Sequence, residues 1–258
     1  MHTQEQIYTQ LEKFRPIVGH HVHIHSSLKS VGEIEGNGEA LLECLINFFT
    51  QHHGHVSFPT HTWNTNVLDL QKADTCTGML SKLALKREDG VRSLHPTHSM
   101  VIFGESAAEH AKWDEYVTTP VSAKGCYGRL YEQDGYVLLI GLNQNKNTYI
   151  HAIEERLGIK DRVTDEIFDT VLIMKEGNRL VKPMHYVFEE YGDISHYFAK
   201  LEPAFRYHNC IVDGMIGEAC VQLCNVRKMT EVLAKIHERS NYIEIFLDDK
   251  DIPKEWYE

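Results

Sequence analysis

Tyr136-Val137-Leu138-Leu139-Ile140-Gly141-Leu142-Asn143-Gln144-Asn145-Lys146-Asn147-Thr148-Tyr149-Ile150-His151-Ala152-Ile153-Glu154 decides the fold class. The run from Tyr136 to Ile140 has the pattern of a strand buried on both faces. Gly141 breaks it, a polar loop follows, and apolar residues return at helical spacing from Thr148 to Leu157. A buried strand that passes through a short loop into a helix is half of a strand–helix–strand unit.

The same alternation continues on both sides. Thr3 and Gln6 have capping-box spacing ahead of Ile7, Leu11 and Phe14, so a helix opens the chain and Pro16 ends it. His21 to His25 alternates strictly and reads as a strand. Gly36-Asn37-Gly38 breaks the chain before an apolar helix from Glu39 to Thr50, and Val56-Ser57-Phe58 is a short strand closed by Pro59. Residues 62–94 are polar and mixed, a long loop with a short helix from Leu80 to Lys86. Ser99 to Phe103 reads as a strand and Ser106 to Trp113 as a helix. Thr170 to Met174 and Arg179 to Val181 flank Glu176-Gly177-Asn178, a hairpin signal. The pattern then predicts a long helix from Gly217 to His237 and a closing strand from Tyr242 to Leu247. Strands alternating with helices predict an α/β layered sheet. No repeat or linker divides the chain, so one domain spans 1–258, with a hairpin excursion at about 165–190.

Composition bounds the function. The 258 residues suffice for one large α/β domain or two small ones, and 42% hydrophobic content is that of a globular protein. The net charge of −11 opposes binding to a phosphate backbone and suits a cationic small substrate. The opening residues lack the apolar core of a signal peptide, and no run is long enough to span a membrane. The six cysteines are scattered with no CxxC, which predicts reduced thiols and a cytoplasmic setting.

Five stretches carry candidate chemistry. His25-Ser26-Ser27-Leu28-Lys29-Ser30 runs from a strand into small hydroxylated residues, a turn able to present N–H groups and hydroxyls to an anion or a carbonyl. His21, His23 and His25 share one strand face. Such a ladder either holds a metal, as in a hydrolase, or is satisfied within the fold; there is no HExxH and no Cys/His finger spacing to extend it. Pro96 stiffens a loop bearing Arg92, His95, His98 and Ser99. His151 and Glu154 share a helix face. His151 falls in the first helical turn, where the dipole favours the neutral imidazole that a general base requires. Cys126, in Gly125-Cys126-Tyr127-Gly128, is either an acyl-transfer nucleophile or an inert buried thiol.

Taken together these stretches resemble the aminoglycoside 3-N-acetyltransferase family, the antibiotic N-acetyltransferases. The matching segments, in order, are His25-Ser26-Ser27-Leu28 with Gly32; Gly54 leading to Phe58-Pro59-Thr60; Arg92 with His95-Pro96 and Ser99; Thr119-Pro120-Val121-Ser122; Gly141 with Asn147-Thr148, His151 and Glu154; and Gly217-Glu218-Ala219. The resemblance covers about residues 5–235. It departs at Gly54-His55-Val56, where the family usually has Gly-Thr.

The resemblance implies a three-layer α/β/α fold around a mixed sheet, distinct from the GNAT acetyltransferase fold. It implies acetyl-CoA as donor, a cationic 2-deoxystreptamine aminoglycoside as acceptor, no metal, and no nucleic-acid or membrane partner, with a homodimer left open. His151 takes the catalytic position, and Glu154 orients the imidazole or holds the acceptor amine. Ser26, Ser27, Leu28, Lys29, Arg92, Ser99, Val121 and Ser122 are the implied acetyl-CoA contacts, with Lys124 and Arg129 as further basic candidates. Thr60, Asn147, Thr148, Glu154 and Asp193 are the implied acceptor contacts. The tetrahedral oxyanion needs N–H donors, from the turn around Ser26 to Leu28 or from Thr60. A different amine metabolite as acceptor remains the alternative within the same chemistry.

Overall fold

A computed structural model describes the chain at every residue except 64–65, 71, 165–166, 175–176 and 185–191. Helix α1 (Gln4–Leu11) opens with the expected capping box: the Thr3 hydroxyl accepts from the Gln6 N–H and the Gln6 side chain accepts from the Thr3 N–H. Pro16 does not end this helix. It sits inside a 3-10 helix, Glu12–Ile17, that carries the chain onward to β1 (His21–Ser26). Then follow α2 (Asn37–Phe49), β2 (His55–Pro59), β3 (Val67–Asp69), α3 (Met79–Leu85), β4 (Val91–Arg92), β5 (Met100–Phe103), α4 (Ala107–Ala111), β6 (Tyr136–Ile140) and α5 (Tyr149–Leu157). The remainder is β7 (Thr170–Met174), β8 (Gly177–Val181), α6 (Glu202–Tyr207), β9 (Ile211–Ile216), β10 (Ala219–Asn225) and α7 (Val226–Arg239).

Seven strands form one mixed sheet in the order β4-β5-β2-β1-β6-β10-β9. Its centre, β2-β1-β6, is parallel, and the flanking pairs are antiparallel. Strand alternation divides the side chains between two cores. Val22, Ile24, Leu138 and Ile140 face α1, α2 and α3, whereas Val137 and Leu139 face α4, α5, α6 and α7. This is the three-layer α/β/α arrangement. The expected hairpin is β7 and β8, antiparallel from Thr170↔Val181 to Met174↔Gly177, and β3 joins β7 to make a second, three-stranded sheet. Glu176 of the expected hairpin turn lies outside the described residues, as do 165–166, 175 and 185–191 around it.

Two further expectations fail. The helix from Gly217 is instead the strand β10 followed by α7, and β9 precedes it. Gly217 and Glu218 make a two-residue turn between Ile216 and Ala219, which pair directly. Gly217 has φ +58°, and a Cβ there would stand 2.2 Å from the Val31 carbonyl oxygen, so only glycine fits. The helix begins one strand later because the Asn225 side chain accepts from the Lys228 N–H and caps it. The predicted strand from Tyr242 to Leu247 is irregular backbone. Its polar groups find side chains in place of a neighbouring strand. Lys200 Nζ donates to the Ile245 carbonyl at 2.7 Å, and the Phe246 N–H donates to Glu244 Oε1 at 2.8 Å.

Candidate active site

The parallel strands β1, β2 and β6 end on the same edge of the sheet, where ligands collect in open α/β folds. A cavity of about 460 Å³ opens there. His25 and Ser26 reach it from β1, His151 from α5, and Asn147 and Thr148 from the loop between β6 and α5. His61, His98, Trp63 and Phe198 supply ring faces, and Asp193 and Lys146 supply charge.

The β6–α5 loop is built rigidly. Gly141, at φ +63°, lets the chain turn against Ser30, whose Cβ would lie 2.4 Å from a glycine-borne Cβ. The Asn143 side chain accepts from the Asn145 N–H at 3.1 Å. Asn147 Nδ2 donates to Gln144 Oε1 at 2.8 Å, while its own Oδ1 accepts from the Tyr149 N–H at 3.2 Å. The loop thereby sets the start of α5 and the height of His151.

His151 is nearly buried, its ring edge-on to Phe198 with centroids 4.8 Å apart. Its Nδ1 lies 2.8 Å from Glu154 Oε2, one helical turn away. Glu154 has no exposure, and its Oε1 accepts from Arg162 Nε at 2.6 Å. A second Arg162 nitrogen reaches the Glu244 carboxylate. This geometry bears on the two roles expected for Glu154: its carboxylate is buried away from the cavity lining, with one oxygen on His151 and the other on Arg162.

The strand histidines are a different construction. His21, His23 and His25 occupy the positions on β1 that Val137 and Leu139 occupy on β6, facing the α4–α7 layer. Ser57 on β2 places its hydroxyl 2.8 Å from both His21 Nε2 and His23 Nδ1. Among the described residues, His23 Nε2 and His25 Nε2 are buried without a hydrogen-bond partner. Burial depresses these imidazoles, His21 and His25 to about 3, and neighbouring histidines push His21 and His23 further down. Among the described residues no three His, Cys, Asp or Glu side chains converge in a way that would hold a metal ion.

The expected contacts divide into three groups. Ser26, Asn147, Thr148, His151 and Asp193 meet at the cavity. Asp193 also caps the 3-10 helix Ile194–Leu201. Burial works against its charge, but hydrogen bonds from Ser195 and the nearness of His196 and His151 outweigh that and hold it below its ordinary value. Ser27, Leu28 and Lys29 follow Ser26 on the turn after β1 and are not among the residues lining the cavity; the Ser27 N–H is taken by the Ile140 carbonyl at 2.9 Å.

The others are structural where they stand. Arg92 spans Ser99 Oγ at 3.1 Å, the Ala73 carbonyl at 2.8 Å and the Thr60 carbonyl at 2.9 Å. Ser99 and Thr60 have no exposure and bond one another, and the Thr60 N–H donates to the Ser99 carbonyl. The expected phosphate contact Arg92 and the expected acceptor contact Thr60 are thus held inside the fold. Val121 is buried, with its N–H on Glu155 Oε1 at 3.0 Å, while Ser122 is half-buried. Cys126 is sealed: burial and Asp114 raise its thiol well above the ordinary range, and Sγ donates to the His110 carbonyl at 3.2 Å. That is the inert-thiol alternative.

Sequence reading missed Arg162, Glu244, Trp63 and Phe198. Arg162 follows Gly158, the left-handed residue that ends α5, so no helical period connects it to Glu154. Glu244 lies 82 positions further on, beyond the reach of any local pattern.

Comparison with known proteins identifies the family and the fold. The family model described as aminoglycoside 3-N-acetyltransferase matches residues 24–238. The SPbeta prophage-derived aminoglycoside N(3')-acetyltransferase-like protein YokD of Bacillus subtilis (strain 168) is 21% identical over 263 residues, which cover 90% of this chain and 91% of that protein. The fold is shared with AAC-IIIb bound to CoASH, with a TM-score of 0.78, 18% identity, and coverage of 92% of this chain and 97% of that one. It is shared equally with a variant of AAC(3)-IVa in complex with a gentamicin, with a TM-score of 0.78, 18% identity and 96% of each chain covered.

Proposed function

The chain belongs to the aminoglycoside 3-N-acetyltransferase family, and from that premise we propose that it moves the acetyl group of acetyl-CoA to the 3-amino group of a 2-deoxystreptamine aminoglycoside, with His151 as general base. The observation that carries this reading is the His151–Glu154 pair, seated where α5 begins and facing a cavity at the carboxyl edge of the parallel strands.

An aminoglycoside amine is mostly protonated near neutrality and attacks only after it loses that proton. Glu154 on Nδ1 fixes the imidazole so that Nε2 takes the proton as nitrogen approaches the thioester carbonyl. Asp193, in the cavity wall, attracts an ammonium group of the acceptor. The N–H groups of Leu28 and Lys29 open the short 3-10 helix Leu28–Val31, and first-turn donors have no acceptor within their own helix. The turn from Ser26 to Leu28 is the proposed source of donors for the tetrahedral oxyanion, since Thr60 is already committed to Ser99. Collapse of the intermediate expels CoA as thiolate, which His151 can reprotonate. Direct transfer needs no acetyl-enzyme.

Lys29, Lys124 and Arg129 remain the basic candidates for the CoA phosphates, all three exposed. The whole chain acts in this reading as one domain. Release of CoA from acetyl-CoA, measured across a panel of aminoglycosides, tests the proposal. Release that depends on a deoxystreptamine acceptor supports it, and an inert panel sinks it.

One observation favours a second acceptor class. Among the described residues lining the cavity, Asp193 is the one carboxylate, and Lys146 adds an ammonium to the same lining. Such a wall suits an amine of lower charge than an aminoglycoside. Ionic strength separates the two. A polycation's KM rises with salt as its attraction is screened over roughly 8 Å, whereas a singly charged amine's stays nearly flat.

A further inference from the structure

We propose that Arg162 is a positioning residue which, clamped between Glu154 and Glu244, holds the Glu154 carboxylate against His151 and sets how tightly the His151–Glu154 pair keeps its proton. The inference rests on reading His151 as the general base and adds a residue that lies outside the acceptor cavity.

Arg162 is 4% exposed. Nε donates to Glu154 Oε1 at 2.6 Å, one Nη donates to Glu244, and the other approaches the Lys160 carbonyl at 3.4 Å. It forms part of the wall of a second cavity, of about 500 Å³, along with Glu244 and Phe246. It therefore reaches the proposed chemistry only through Glu154. Burial opposes its charge, but the two carboxylates outweigh burial and hold its proton above the ordinary range.

Three parts of the fold converge on this line. Helix α5 supplies His151 and Glu154, the loop after it supplies Arg162, and the irregular segment after α7 supplies Glu244. Other charged or titratable groups that face His151 or share its cavity are Asp193, Glu155 and His61, with His25, Cys76, His98 and Lys146 in the same lining.

The signs follow from charge. With Arg162 removed, a buried carboxylate faces His151 without its counter-cation, and the pair holds a proton more tightly whichever member carries it. With Glu244 neutralised, Arg162 keeps one anion in place of two, its field at Glu154 is stronger, and the pair holds its proton less tightly. A residue that merely braced the fold would not produce opposite shifts from Arg162 and Glu244.

The test is an NMR titration of the His151 ring, with 15N-labelled histidine, on the unliganded full chain. Arg162→Met should move the midpoint upward by roughly 1–2 pH units, the scale of a unit charge several ångströms away at an effective dielectric of ~20. Arg162→Lys should restore most of that shift. Glu244→Gln should move it downward by a few tenths of a unit (on the order of 0.3), because Glu244 is 25% exposed and partly screened. The acid limb of kcat/KM should move in the same order.

An unchanged or lowered midpoint in Arg162→Met, or an upward or absent shift in Glu244→Gln, overturns the proposal. If Arg162→Met does not fold, the Lys and Gln variants decide alone: a Lys variant far from wild type, or a Gln shift of the wrong sign, is enough to reject it. The titration does not depend on turnover. Opposite shifts in a protein that transfers no acetyl group would keep this inference and remove the acetyltransferase reading; normal transfer with unshifted midpoints would do the reverse.

Discussion

The strand histidines and the helix histidine are the same side chain placed in two different electrostatic settings. His21 and His23 meet the hydroxyl of Ser57, a neutral partner that does nothing to favour imidazolium. His151 meets a carboxylate that is itself held by an arginine. Both sets are buried. The first is therefore confined to the neutral state, whereas the second has a carboxylate against its ring. The difference teaches that the partner's charge, more than burial or the presence of a histidine, sets which imidazole is suited to the base role proposed for His151.

The comparison breaks most decisively at His151. His151→Ala should lower turnover by roughly 10²–10⁴, the usual scale for a positioned base, with acetyl-CoA affinity retained. Steady-state kinetics with separate KM values for the two substrates would check this, and near wild-type turnover would remove His151 from its role.

Glu154→Gln should cost less, about 10–100-fold in kcat, because a positioned imidazole remains. Loss of the adjacent negative charge also lowers the pH at which His151 takes up its proton, so the acid limb of the rate profile should move downward. A rate profile from about pH 5 to 9 reads both effects.

On the strand side the effect should fall on stability and spare the chemistry. Ser57→Ala removes one hydroxyl and leaves two buried ring nitrogens without it, a cost of about 1–3 kcal/mol. Urea unfolding beside a turnover assay would show the loss in the first and little in the second. A large fall in kcat at full stability would erase the distinction between the two regions.

At neutral pH the smallest effect is that of His21, which shows only as acid sensitivity. Burial, and then His110 and His55, depress His21 to about 3 in the folded protein, against about 6.5 when unfolded. Above the unfolded value both states are neutral at this site, and it costs nothing. As pH falls from about 6.5 toward 3, the unfolded chain takes a proton that the folded chain refuses, so stability declines by about 1 kcal/mol per pH unit for each such residue. His21→Gln should flatten that decline in unfolding curves between about pH 6 and 4. An equally steep decline would mean that His21 titrates normally in the fold.

The two histidine sets also mark what sequence can and cannot disclose. The alternation in His21 to Ser26 and the apolar run Tyr136 to Ile140 locate the central strands because local pattern and burial coincide there. The stretch from Gly217 to His237 misleads because Val226, Met229, Leu233 and Ile236 recur at helical spacing, and the expected helix extends that pattern back over residues that form β10. Gly217-Glu218 and Asn225 were the available signals for a turn and a later helix start. At the site, His151 and Glu154 were legible since one helix turn joins them. That Arg92 is spent on three internal partners was not, because a cation in a polar loop reads the same whether it faces a phosphate or a carbonyl. Arg162 and Glu244 were invisible for another reason: their pairing exists only after the chain has folded back on itself.

Synthesis proceeds from the N-terminus, so His151, Glu154 and Arg162 leave the ribosome nearly together, and Glu244 follows 82 positions behind Arg162. In the interval the sheet can gather β1, β2, β5 and β6, while Arg162 has only one of its two anions. A nascent chain halted within α7 would thus carry a shaped pocket with an under-neutralised cation behind it. Chemical competence and structural maturity are reached at different moments of biogenesis, with the segment after α7 closing the gap between them.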